Sequence, residues 1–212
     1  MSSNENYSEY EITKENYNKN PSYMKNLWSF NWEKQINEFV KGLGGKKVLD
    51  AGCGVGRDIK EFLKRGFEAT GVDYSSKNIK IAEQSFVGAK LFEGNILEMN
   101  FLSSSSFDGV WACASVLHLK KKDLPLALKE FRRILKPKGR LFVSVKKGDG
   151  EKFVEDEAGK RFFSFYKEGE MKEAIEKAGF KVTKIEAVKH EQLTGRDPQR
   201  PDWICVFAQK TL

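Results

Sequence analysis

Val48-Leu49-Asp50-Ala51-Gly52-Cys53-Gly54-Val55-Gly56-Arg57-Asp58 decides how this 212-residue chain folds. Apolar residues and an acid end a strand, three glycines follow at alternate positions, and charged residues open a helix. Strand, glycine turn and helix in that order present backbone N–H groups and a helix N-terminus to a ligand. Glycine serves where the turn needs positive φ or the ligand touches the backbone. The dinucleotide pattern G-x-G-x-x-G would require a third glycine at position 57, where Arg57 stands. The phosphate-loop pattern fails as well, because no Gly-Lys-Ser/Thr occurs.

Downstream, Phe67-Glu68-Ala69-Thr70-Gly71-Val72-Asp73-Tyr74 reads as a second strand ending in an acid. A carboxylate there can accept both hydroxyls of a ribose. Tyr74 can lie on an adenine face, and Ser75 or Ser76 can cap the next helix. The pattern Asp50-x-Gly52-x-Gly54-x-Gly56 resembles the first motif of the class I S-adenosylmethionine-dependent methyltransferases. The resemblance covers roughly residues 40–210 and implies S-adenosylmethionine as cofactor and S-adenosylhomocysteine as product. It implies cofactor contacts from Asp50, Gly52, Cys53, Gly54, Gly56, Arg57, Asp73, Tyr74, Asn95, Ile96, Ala112 and Cys113. Asn95 stands where that family commonly carries an acid, and its side-chain oxygen can still accept from an adenine amine.

Composition narrows the class. The net charge is +7, with residues 1–45 near neutral, so the basic excess lies beyond them. That excess fits an RNA or nucleotide partner and equally a Lys-rich soluble protein. Three cysteines, Cys53, Cys113 and Cys205, without metal-ligand spacing argue against a disulfide framework and against a metal site. No apolar run is long enough to span a membrane, and the N-terminus lacks a signal-peptide pattern. The expected location is the cytoplasm.

Phe107 to Leu119 supplies a fourth strand whose C-terminal end faces the ligand in any doubly wound sheet. Cys113, Ala114, Ser115 and His118 are the expected wall of the reaction site. His118 is a candidate general base near neutral pH. A cysteine nucleophile of the cytosine-C5 type is disfavoured, since Ala112 and not proline precedes Cys113. The Asn/Asp-Pro-Pro-aromatic signature of exocyclic-amine methylation is absent too. The N-terminal segment 1–45 is expected to be partly ordered up to residue 20 and helical up to Gly42. In class I methyltransferases such a segment often lids the cofactor, which makes Tyr17, Tyr23 and Trp28, with Ser115 and His118, the candidate acceptor pocket.

Asp123 to Lys136 reads as an amphipathic helix capped by Asp123, with Lys129, Arg132, Arg133 and Lys136 on its outer face. Strands are expected at 140–145, 180–186 and 203–208, with a helix at 167–178. The loop at 189–201 is too short for a crossover helix, so the last two strands should be antiparallel. The expected fold is α/β, a Rossmann-like doubly wound seven-stranded mixed sheet with helices on both faces and residues 46–212 as one domain. Arg161-Phe-Phe-Ser-Phe-Tyr with Trp203 also resembles the tail of the tRNA wobble-uridine carboxymethyl methyltransferases, with Ser164 where histidine is expected. The expectation is therefore methyl transfer by direct displacement to a small-molecule acceptor. The alternatives are a tRNA acceptor and a non-catalytic S-adenosylmethionine-binding protein.

Overall fold

Seven strands form one sheet in the order β3-β2-β1-β4-β5-β9-β8. The computed structural model describes residues 8–20, 30–156, 159–195 and 198–211. The strands are β1 (Lys47–Ala51), β2 (Glu68–Asp73), β3 (Lys90–Glu93), β4 (Phe107–Cys113), β5 (Leu135–Lys146), β8 (Phe180–Val188) and β9 (Trp203–Lys210). β1 to β5 pair in parallel, and β9 runs antiparallel to both β5 and β8. The order turns at β1 and β4, so their C-terminal ends open a crevice, the usual ligand place in such sheets.

The helices are α1 (Glu9–Lys19), α2 (Glu33–Lys41), α3 (Arg57–Lys64), α4 (Ser76–Ser85), α5 (Leu124–Ile134), α6 (Glu168–Lys177) and the short α7 (His190–Thr194). β4 is buried along its whole length, as a central parallel strand must be. Trp111 of β4 stacks on Phe142 of β5 with ring centroids 3.8 Å apart. Phe39 of α2 and Phe62 of α3 close on the same indole at 5.3 and 5.8 Å, and Phe207 of β9 closes on Phe142 at 5.0 Å. One aromatic layer therefore joins two helices to three adjacent strands. Trp111 also donates its indole N–H to Asp58 Oδ2 at 2.8 Å, which satisfies a buried donor.

Five features depart from the sequence expectations. Residues 9–19 form a full helix, capped by Ser8, whose hydroxyl accepts from Glu11 N–H. Residues 151–156 and 159–164 form β6 (Glu151–Asp156) and β7 (Gly159–Ser164), an antiparallel hairpin outside the main sheet. The 189–201 loop contains α7, and β8 and β9 are still antiparallel. Asp123 is the N-cap residue of α5 but makes no capping bond, and its carboxylate accepts the Tyr10 hydroxyl instead. Lys136 to Gly139 do not form a free turn: β5 begins at Leu135 opposite Phe107, and its next pair is Arg140 with Gly109. The four residues between bulge out, with Lys138 at φ 62.

Candidate active site

The glycine turn leaves β1 and enters α3. Gly52 and Gly56 adopt φ of 87 and 89. A Cβ on Gly52 would sit 2.3 Å from Ser115 Cβ, so the loop after β4 can approach only over a glycine. A Cβ on Gly56 would sit 2.5 Å from the Phe86 ring, so that glycine serves the packing of α3 against the end of α4.

Two hollows lie over these strand ends. The space between their walls, counted out to open solvent, is about 880 and 750 Å³. The first is bounded by the glycine turn, Arg57, Cys113, β7 and the start of β9. The second is bounded by α1, Asp73, Tyr74, Asn78, Asn95, Ile96 and Ser115. Tyr17, Gly52, Ala114 and His118 line both. Ala114 holds a left-handed φ of 54, fixed by its N–H on Ser144 Oγ at 2.9 Å. A non-glycine residue in that conformation is strained, and it sits where the hollows meet.

Asp73 is held from three sides. Its carboxylate accepts Gly54 N–H at 2.8 Å, Ser75 N–H at 2.9 Å and Asn78 Nδ2 at 3.2 Å. Burial pushes its pKa up, and these hydrogen bonds pull the other way. Asp50 is 2% exposed, and burial and the neighbouring Asp58 push its pKa well up. Arg57 clamps Asp58 with two bonds of 2.6 Å and points a third N–H at Cys113 Sγ, 3.4 Å away. Burial raises the pKa of the Cys53 and Cys113 thiols well above the ordinary value, so both are held as thiols.

His118 Nδ1 lies 2.7 Å from the Phe162 carbonyl oxygen. A carbonyl only accepts, so Nδ1 carries the proton and Nε2 is the acceptor. Tyr17 therefore donates its hydroxyl to His118 Nε2 across 2.7 Å. Burial lowers the His118 pKa to about 3, which keeps the ring neutral.

The structure brings most of the sequence candidates together. Gly52, Cys53, Gly54, Arg57 and Cys113 line the first hollow, and Asp73, Tyr74, Asn95 and Ile96 the second. Asp50, Gly56 and Ala112 line neither. Ala112 is one residue too deep, paired with Val143 inside the sheet. Ser115, expected in the acceptor pocket, faces the Asp73 hollow instead. Asn95 spends its side-chain oxygen on Leu97 N–H at 3.0 Å, a local loop bond. Tyr74 donates to Glu11 of α1 and carries Lys14 Nζ 4.2 Å over its ring. Tyr23 and Trp28 lie outside the described residues. The residue-level reading missed Trp32, Lys146, Arg161, His190 and Arg200 on the first hollow. Their only signal was the quoted 161–166 stretch and Trp203, and neither says which side chains converge. Among the described residues no cluster suits a metal ion, and no helix is long and apolar enough to cross a membrane.

The strand order, the glycine turn and the anchored carboxylate after β2 give this chain the fold of the class I S-adenosylmethionine-dependent methyltransferases. Residues 49–143 match the family model of a methyltransferase domain. An uncharacterised methyltransferase of Schizosaccharomyces pombe is 27% identical over 91% of this chain and 78% of its own. The demethylmenaquinone methyltransferase of Thermotoga maritima is 34% identical, over 53% of this chain and only 48% of its own. The 1,6-didemethyltoxoflavin-N1-methyltransferase of Burkholderia thailandensis, solved with 1,6-didemethyltoxoflavin and S-adenosylhomocysteine, shares the fold. It superposes with a TM-score of 0.76 at 21% identity, over 97% of this chain and 92% of its own. The donor set fits the cofactor: a carboxylate fixed by N–H groups suits vicinal hydroxyls, and the glycine turn leaves backbone open to a polar chain.

Proposed function

We propose that this chain transfers the methyl group of S-adenosylmethionine to a small-molecule acceptor held in the first hollow. The observation that carries the reading is the shared wall: two hollows meet at Tyr17, Gly52, Ala114 and His118. In this reading Asp73 takes the ribose hydroxyls, Ile96 and Tyr74 flank the adenine, and the turn at Gly52 to Gly54 follows the methionine end. Residues 1–45 act as the covering segment of a domain formed by 46–212.

When bound, S-adenosylmethionine supplies an electrophilic methyl on its sulfonium. The chain's own work is alignment, which can be worth about 7–11 kcal/mol. Tyr17 stands at the junction with its proton committed to His118, so its hydroxyl does not donate to an incoming acceptor. His118 resists protonation, so its role is to hold Tyr17 rather than to store a proton. An acceptor that arrives already ionised needs no base.

The test is transfer of labelled methyl from S-adenosylmethionine into a small-molecule extract and into bulk unmodified tRNA, with Asp73→Ala as control. Label in the small-molecule pool that the variant abolishes is the expected result. Label in tRNA alone would overturn the small-molecule reading. Tight S-adenosylhomocysteine binding with label in neither pool would point to a non-catalytic role.

A further inference from the structure

The far wall of the first hollow is a donor surface. β5 ends at Lys146, and antiparallel β9 begins at Trp203, directly opposite in register. β8 ends beside the same Trp203, and His190 follows two residues later. Three strand ends thus place Lys146, His190 and Trp203 side by side, although they are distant in sequence. Lys146 is only 8% exposed, with Nζ 3.0 Å from His190 Nδ1, 2.7 Å from the Pro201 carbonyl and 4.0 Å over the Trp203 ring.

The protonation pattern can be read from these contacts. Trp203 Nε1 also points at His190 Nδ1, at 3.3 Å, and an indole nitrogen can only donate. His190 Nδ1 is therefore an acceptor, and the neutral ring carries its hydrogen on Nε2. Trp32 stands edge-on to Trp203 with centroids 5.4 Å apart, is 2% exposed, and its indole N–H finds no acceptor among the described residues. A buried donor without a partner is costly, and Trp32 lines the first hollow, so a ligand oxygen there would satisfy it. Arg161 and Arg200 complete the wall, and the carboxylate beside them, Asp156, already bonds both, at 2.6 and 3.5 Å. Phe30, Phe163 and the two indoles supply flat apolar faces.

We infer that the acceptor is a planar conjugated anion, a carboxylate or enolate oxygen borne on an aromatic ring, seated against Trp32, Lys146 and His190. The inference rests on the small-molecule reading above and deepens it. The rings hold the plane, and the donors hold the charged edge.

The test uses the full chain saturated with S-adenosylhomocysteine, whose binding is first measured by calorimetry. Benzoate and 2-naphthoate are then titrated against benzamide and 2-naphthamide, following tryptophan fluorescence. At least one carboxylate should bind tenfold or more tightly than its amide. Trp32→Phe, which keeps a ring and removes the N–H, should weaken that carboxylate three- to tenfold and leave the amide unchanged. Lys146→Met should abolish the preference, with circular dichroism confirming the fold. Equal binding of acid and amide, or no carboxylate binding at millimolar concentration, overturns the anionic acceptor and leaves the methyltransferase reading standing. Failure to bind S-adenosylhomocysteine would instead overturn the reading beneath it.

Discussion

Two side chains carry most of the residue-scale logic, and both are set by their hydrogen bonds. Asp73 is an anchored carboxylate, whereas His118 is a histidine that cannot easily charge. The His118 pKa is about 3 in the folded chain against an ordinary 6.5. Its stabilising contribution is therefore complete above pH 6.5 and is lost as pH falls toward 3, at about 1.4 kcal/mol per pH unit. Between pH 7 and 5 this amounts to about 2 kcal/mol. His118→Gln should remove that part of the acid destabilisation, read from urea unfolding midpoints at the two pH values. Asp73, with its pKa raised, acts with the opposite sign, so the His118 variant is compared with wild type at each pH rather than across pH. At this scale the sequence was legible where one residue type answers to one local need. Gly52 and Asp73 were readable because a tight turn and an acid at a strand end are both local features of the chain. Trp32, Lys146 and His190 were not, because their meaning arises only when three strand ends meet.

At the scale of the element, α1 and the β6–β7 hairpin are the surprises, and they share a cause. Glu9 to Lys19 buries one residue, Thr13, and carries no apolar stripe. An 11-residue polar helix is marginal alone, so its stability comes from tertiary partners that a sequence window does not show. Those partners ring the Asp73 hollow. Glu9 pairs with Lys120 at 2.8 Å and Lys14 with Glu93 at 3.4 Å. Asn18 accepts Ser75 Oγ at 2.7 Å, and Thr13 accepts Phe162 N–H of β7 at 3.0 Å. The hairpin strand β6 is charged at most positions, so it lacks the apolar alternation that reveals a strand. By contrast, β1, β2 and β4 were legible because buried parallel strands read as apolar runs. Deleting residues 1–20 should leave the far-ultraviolet spectrum of the sheet intact and lower S-adenosylhomocysteine affinity at least tenfold by calorimetry. An unchanged affinity would mean that α1 is ornament to the cofactor site.

Over the whole molecule, the net charge of +7 invites a nucleic-acid reading that its distribution weakens. Arg133 is spent on Glu130 and on the carbonyls of Leu102 and Met99, at 2.8 and 2.9 Å for the latter two. Lys136 pairs with Asp108 at 2.7 Å, and Arg132 reaches the Gly179 carbonyl. Three of the four basic residues expected on this outer face thus hold the fold together rather than facing a partner. Reversing the exposed lysines in Lys122→Glu/Lys129→Glu should leave methyl transfer within twofold, measured with the small-molecule pool as acceptor. A collapse of transfer would restore the charged face as a docking surface. The roof formed by α1 also sets an order of traffic. The first hollow meets α1 only through Tyr17 among the described residues, whereas the Asp73 hollow lies under Tyr10, Thr13, Lys14 and Tyr17. With the acceptor in the first hollow, as proposed, the methylated product would depart while the helix stays in place, and the spent nucleoside would wait for several ion pairs and hydrogen bonds to part. On that proposal the expected result is turnover paced by the leaving of S-adenosylhomocysteine, seen as a first round faster than all that follow.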